Sequence, residues 1–466
     1  MCAESAEESR SGGEKQALRL LSRSARLWKS QHRSDGKAVP IHFDRDFSKL
    51  TTAADLTDAW LRLGKAVAVI PDRSGVSGTY FISDSSGNPV AVFKPIDEEA
   101  GQDANPLQVD LFDGCFHAFV LGECAYKEAA AYLLDHKMAT GIPQTTIVTC
   151  VTPLETSNGL AANKTGAFQV FQDNIGDADD FGPALFPTEN IQRIAAFDLR
   201  VLNSDRHGGN LLVVKNETEH RLVPIDHGYI LPDRVVSPTW PVWMQWPQSK
   251  QPLSSSLTQC ILDLDCDNEV HTLEEELGHS ISAGSIRSLR IATAFLKKGV
   301  SLGMSMYAIG LLVFSSGSST KKSLLEKIAD EALRAGLMRE QRIESQLDLL
   351  SLDDSTERRW LRPSTEDFIV KYASKLMENR LCTIAGFGSL TRARSNPNFF
   401  PQTECASKRK QKVAAAGDAL ARTGSESTCA RQPSRWTTPL RRSDMSVPSR
   451  LAVSKPPNGN VTSNLD

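Results

Sequence analysis

The chain contains no CxxC pair. Its nine cysteines are scattered from Cys2 to Cys429, and Cys260 and Cys266 lack a His or Cys neighbour at zinc-ligand spacing. This argues against a zinc site or a disulfide framework and predicts reduced thiols, in the cytosol or the nucleus. Long apolar runs are missing too. The longest, Met306 to Phe314, is far short of the roughly 20 residues that span a bilayer, so any membrane contact is expected to be peripheral. The first 15 residues are polar and include Glu4, Glu7, Glu8 and Glu14, unlike a secretory signal or an organelle transit peptide. No internal repeat is evident.

What is present suits a soluble globular protein: 40% apolar and 23% charged residues in 466. That length holds a domain of roughly 250–300 residues plus flanks. A net charge of −3 conceals an asymmetry, because residues 391–466 carry 13 Lys/Arg against 5 Asp/Glu. This tail is rich in Ser, Pro, Arg and Lys and has the composition of a disordered segment. It reads either as a plain solvated tail or as a contact for an anionic surface, membrane or nucleic acid, with the KRKQK run (408–412) at its centre. Nothing in the chain points to recognition of a specific nucleic acid. Residues 1–54 form a variable segment in which Leu18, Leu21, Ala25 and Trp28 recur at helical spacing. Arg19, Arg23 and Arg26 lie off that stripe.

Ordered structure is expected from about Asp55 to residue 390. Residues 79–83 and 90–96 read as strands joined by a Ser/Gly/Asn/Pro turn. Residues 125–138 read as a helix with Tyr126, Ala130, Leu133 and Leu134 on one face, ended by Gly141–Ile142–Pro143. Strands follow at 145–151 and 166–172, then a helix from Thr188, a candidate N-cap, to Leu202. Two short strands, 211–214 and 221–225, precede a helical region that includes 287–298, 320–335 and 365–381. The order predicts an α+β chain of two lobes with a cleft between them.

Four pieces along this order share one explanation, phosphoryl transfer. SGVSGTY (74–80) is a small-residue turn entering a strand, where backbone N–H groups can approach phosphate oxygens closely. Lys94 ends VAVFK on the same strand face as Val90 and Val92, so it can tether phosphate while Val92 packs on a purine ring. NSDRHGGN (203–210) follows a helix; Asp205 is a candidate to orient or deprotonate a hydroxyl, and Asn210 offers a hard oxygen to Mg²⁺. Arg206 is expected to pair with an acid in this loop. IDHG (225–228) puts Asp226 where it can bind the ion that bridges phosphates. Each piece alone is weak; Asp205, Asn210 and Asp226 at these spacings, around two short strands, are specific.

DLRVLNSDRHGGNLLV (198–213) and LVPIDHG (222–228) resemble the catalytic and metal-binding motifs of the phosphatidylinositol 3-/4-kinase superfamily. GTYFI (78–82), VFKPIDEE (92–99), GECAYKEAAAYLLDH (122–136), AFQVF (167–171) and WMQWPQ (243–248) are similar to its plant-type gamma group. The resemblance implies a kinase-like fold, with a mixed β N-lobe and a mostly helical C-lobe, acting on ATP with Mg²⁺. By position it implies that Ser74, Gly75, Val76, Ser77, Gly78 and Thr79 form the phosphate loop, and that Lys94 contacts phosphate. It further implies that Gln169, Val170, Phe171 and Gln172 form the inter-lobe linker whose backbone meets adenine. Asp205 is then catalytic, with His207 as a second candidate base, and Asn210 and Asp226 hold metal. Glu128 is implied as the partner of Lys94, although the helical pattern alone leaves it off the apolar stripe and solvated.

The resemblance implies phosphatidylinositol as substrate, in a cytoplasmic enzyme bound peripherally to membrane, with the nucleus as the other compartment. A protein substrate on the same scaffold and a silent nucleotide-binding scaffold are the alternatives; the presence of Lys94, Asp205, Asn210 and Asp226 speaks against silence. What the loop from Asp97 to Cys124 contacts is left open. Trp240, Trp243 and Trp246 have two open roles, an apolar edge against lipid or packing inside the C-lobe.

Overall fold

The computed structural model describes residues 68–72, 76–84, 87–106, 118–155, 161–217, 219–314, 322–348 and 361–395. Residues 1–67, which include the start of the span expected to be ordered, lie outside them, as do almost all of the tail and its KRKQK run.

Five strands form one antiparallel sheet: β1 (Ala68–Asp72), β2 (Thr79–Ser83), β3 (Pro89–Pro95), β4 (Thr145–Glu155) and β5 (Ala161–Val170), in the order β1-β2-β3-β5-β4. The sequence pattern did not point to β1, which has the edge position where Pro71 is tolerated because no second neighbour needs its missing N–H. The register sets Val92 opposite Gln169 and Lys94 opposite Ala167. Helix α1 (Cys124–Leu134) packs against β4 and β5. It ends four residues before the expected boundary, where Asp135 collects the backbone N–H groups of Thr140, Gly141 and Ile142.

Helix α2 (Thr188–Val201) is the axis of the second lobe and is buried from Asn190 onward except at Arg193. Thr188 is its first helical residue rather than its N-cap, a position held by Pro187 without a side-chain hydrogen bond. A two-stranded hairpin, β6 (Leu211–Lys215) and β7 (His220–Pro224), lies beside α2. Asn190 fastens it, donating to the Leu222 carbonyl (3.2 Å) and accepting from the Leu222 N–H (2.8 Å).

The remainder is helical: α3 (Ser255–Leu262), α4 (Cys266–Leu277), α5 (Ala283–Ser301), α6 (Met306–Val313), α7 (Leu324–Asp348) and α8 (Pro363–Ser395). The apolar run 306–314 is thus a short core helix, and α8 continues past residue 390, where the sequence composition changes. One apolar core joins Ile191, Phe197 and Leu199 of α2 to Leu289 and Phe295 of α5 and Ile369 of α8. Arg200 of α2 and Glu269 of α4 form a buried ion pair across it. The architecture is α+β and kinase-like: a β-rich lobe bearing one helix, then a helical lobe. Among the described residues no helix is long and apolar enough to cross a membrane.

Candidate active site

Strand β3 buries Ala91, Phe93 and Pro95 on one face and turns Val92 and Lys94 to the other. Gly166 makes this possible. A Cβ there would come within 2.2 Å of the Lys94 carbonyl oxygen, so only glycine lets β5 approach β3 beside Lys94. Lys94 Nζ donates to Glu128 Oε1 and, at 2.9 Å, to Asp226 Oδ1. Burial works against its positive charge, but Asp226 and Glu128 together outweigh that and raise its pKa.

Glu128 is 1% exposed, which corrects the solvated position that the helical stripe predicts. Helix α1 is covered on several sides, by β4, β5 and α4. Lys127 and Glu128 are therefore as buried as Ala129, Ala130 and Ala131, and no single stripe marks its inner face. Burial raises the Glu128 pKa, and Lys94 opposes the rise.

The loop after α2 begins with a left-handed residue, Leu202 (φ +53°), which turns the chain out of the helix. Asp198, fully buried, organises this loop. It accepts from Arg206 Nε (3.1 Å), Asn203 Nδ2 (3.0 Å) and the indole N–H of Trp243 (3.0 Å). Arg206 was expected to meet an acid within its loop; its partner is Asp198, on the helix. Its remaining donors reach the carbonyls of Asn210 (2.6 Å) and Ile225 (2.9 Å) and Nε2 of His227 (2.9 Å). Arginine only donates, so His227 presents an unprotonated Nε2. Burial and the guanidinium hold the His227 pKa well below its usual value.

These supports fix Asp205, whose N–H donates to Asn203 Oδ1 (2.9 Å). Asn210 donates its Nδ2 to the Asp205 carbonyl (2.9 Å), which leaves its Oδ1 as the atom available to a cation. Ile225 N–H bonds the Asn210 carbonyl (3.1 Å), so the two ends of the hairpin carry Asn210 and Asp226 side by side. Asp226 itself has φ +57°, a strained value for a residue other than glycine, and its side chain is 46% exposed. Removal from bulk water pushes its pKa up, but the Lys94 ammonium wins and holds it at about 2. Asp205 moves the other way, raised by burial and by the charge on Asp226. His207 is exposed beside it. Lys94, Glu128, Asp205, His207 and Asp226 line one cavity of about 300 Å³ together with the turn before β2.

That turn differs from expectation in detail. Ser74 and Gly75 lie outside the described residues. Val76 is exposed and Thr79 begins β2, but the Gly78 N–H is already donated to the Glu98 carbonyl (2.9 Å) and cannot serve a phosphate. The linker shows the same effect. Gln169 lies between β3 and β4, Val170 N–H bonds the Gln144 carbonyl and Phe171 N–H the Val90 carbonyl, each at 2.9 Å. Gln172 is the first of the four whose N–H has no partner among the described residues. The tryptophans separate: Trp243 is fully buried and Trp246 7% exposed, so both belong to the core, and only Trp240 (38%) meets solvent.

Sequence reasoning missed Asp198, His227, Cys124, Glu99 and Tyr229. For Asp198 a signal exists, since it falls on the Ile191–Ile194–Leu202 stripe of α2, where an acid needs a partner. Glu99 caps α1 from a distance, accepting from Gly122 and Ala125 N–H at 2.9 Å. Cys124 and Tyr229 line the cavity, and Cys124 packs on Gly228.

A β-rich lobe and a helical lobe, with a lysine–glutamate pair facing an Asp/Asn/Asp group, define the protein-kinase-like class of fold. A family sequence profile described as "Phosphatidylinositol 3- and 4-kinase" matches residues 75–309. The chain is 38% identical to "Phosphatidylinositol 4-kinase gamma 4" of Oryza sativa subsp. japonica over 56% of this chain and 48% of that one. It is 38% identical to the Arabidopsis thaliana protein of the same name (57% and 50%) and 35% identical to "Phosphatidylinositol 4-kinase gamma 2" of Arabidopsis thaliana (64% and 58%). The chain belongs to the phosphatidylinositol 3- and 4-kinase family. It spans about half the length of the curated relatives it matches.

Proposed function

We propose that the chain transfers the γ-phosphoryl group of ATP to the 4-hydroxyl of phosphatidylinositol. The observation that carries the reading is the convergence of Lys94, Asp205 and Asp226 on one cleft, with Asn210 bonded to Asp205 beside it, in a chain related to proteins named phosphatidylinositol 4-kinase.

Lys94 is charged at any working pH and meets the α- and β-phosphates, releasing Asp226 as it does so. Val92 packs on adenine, and the Gln172 N–H is the linker donor for the base. Asp205, with its raised pKa, accepts the proton of the inositol hydroxyl while the oxygen bonds phosphorus and the bond to the ADP oxygen breaks. His207, exposed at the same edge, is the route by which that proton reaches solvent. The donor set at Asn210 and Asp226, an amide oxygen and a carboxylate held ionised, fits Mg²⁺, which prefers hard oxygen ligands; bound there it would neutralise phosphate charge. Trp240, pinned beside Asp205 through Thr239 Oγ1 to the Ser204 carbonyl (3.0 Å) and Val242 N–H to the Arg206 carbonyl (2.9 Å), meets the lipid interface. Peripheral attachment to a cytoplasmic membrane face completes the reading, with the basic tail as a second contact.

The test is product formation from phosphatidylinositol vesicles by the wild-type chain and by Trp240→Ser. A lipid kinase loses activity on vesicles while keeping its intrinsic ATP turnover. A chain that labels protein acceptors equally well with either residue at 240 is a protein kinase instead.

A further inference from the structure

Directly after β3 the chain runs Ile96–Asp97–Glu98–Glu99–Ala100, and both glutamates are buried, at 1% and 3% exposed. They face different partners. Glu99 accepts from the N-terminal turn of α1, the helix that carries Glu128. Glu98 lies under the turn before β2: its carbonyl accepts the Gly78 N–H (2.9 Å), and its carboxylate accepts the Tyr80 hydroxyl (2.7 Å) and pairs with Lys164 Nζ (3.1 Å). A Cβ on Gly78 would stand 2.1 Å from Glu98 Oε2, so the two segments are in direct contact.

Asn105 closes this arrangement. It is 4% exposed, and its amide Nδ2 donates to two carbonyls at once, those of Val76 (2.9 Å) and Glu98 (3.0 Å). Ser77 Oγ accepts the Ala100 N–H (3.3 Å) on the same side. Three successive turn residues, Val76, Ser77 and Gly78, are therefore each tied to residues 98–105, and Lys94 lies on the strand leading into them. A glycine- and serine-rich turn would otherwise sample many conformations, and ordering it at the moment of binding costs entropy.

We infer that Asn105 is a positioning residue for the phosphate-binding turn: through Val76 and Glu98 it holds that turn preformed over the triphosphate. The inference rests on the kinase reading. Its reach is to the phosphate side, because the two carbonyls it bridges belong to the turn and to the segment beneath it.

The experiment compares binding of ATP and of adenosine to the full chain, wild type against Asn105→Asp. The variant keeps size and replaces the donor by an acceptor facing two carbonyls. Loss of the bridging amide should weaken ATP roughly tenfold, the equivalent of one to two neutral hydrogen bonds, and leave adenosine affinity within about twofold. In turnover the KM for ATP should rise while kcat holds. Asn105→Gln, which retains the amide, should recover part of the ATP affinity. Equal loss for both ligands, or loss for neither, overturns the inference. If Asn105→Asp does not fold, Asn105→Ala takes its place, and failure of both to fold makes the residue structural and also overturns it. Wild-type protein that binds neither ligand defeats the kinase reading itself, a result distinct from either.

Discussion

Trp243 donates its indole N–H to Asp198 at 3.0 Å, and Asp198 in turn holds Arg206, the residue after Asp205. The helical core and the candidate catalytic loop therefore share one hydrogen-bonded carboxylate. Trp243→Phe keeps most of the packing and removes one bond to a buried charge, at a cost of about 2 kcal/mol. Chemical denaturation should report that loss, whereas Trp240→Ser, at an exposed position, should stay within about 0.5 kcal/mol of wild type.

Gly166 on β5, opposite Pro95, lies against the Lys94 carbonyl. Gly166→Ala must displace the Lys94 backbone, and overpacking of this kind costs about 1–3 kcal/mol. The displacement should also weaken the Lys94–Glu128 pair, so that ATP turnover falls more than the stability change alone accounts for. Thermal melting and turnover measured on the same preparation separate the two effects.

The two aspartates should titrate apart. Asp226, held at about 2 by Lys94, stabilises the fold above the ordinary carboxylate pKa, and this contribution is lost as pH falls from roughly 4 toward 2. Asp205 has the opposite sign: its raised pKa favours the folded chain in acid, and the advantage disappears as pH rises through that value. Carboxylate-resolved NMR titration of wild type and Lys94→Met checks both. In the variant Asp226 should move up, because the ammonium that holds it down is gone.

Much of this arrangement is legible in sequence where one side of an element is wet. Strand β3 alternates from Ala91 to Pro95, where Lys94 marks the outer face, and α2 shows a helical stripe that leads into Asp205. Legibility fails where an element is enclosed. Helix α1 buries Lys127 and Glu128 along with its alanines, so periodicity left Glu128 outside. The three tryptophans, evenly spaced, look alike in sequence; only the path of the chain past Asp198 sends Trp243 inward and Trp240 outward. The linker and phosphate turn were readable as segments, but which N–H groups remain free depends on Gln144, Val90 and Glu98, residues distant from them in the chain.

Lipid product decides the function. The full chain, given Mg·ATP labelled at the γ-phosphate and phosphatidylinositol vesicles, should yield phosphatidylinositol 4-phosphate. Asp226→Ala, folded by circular dichroism, should lower that yield by roughly three orders of magnitude, since positioning and charge neutralisation supply most of phosphoryl-transfer catalysis. Lipid left unlabelled across vesicle compositions, by a preparation that transfers label to protein, would contradict the account, as would a folded Asp226→Ala chain with near-wild-type yield.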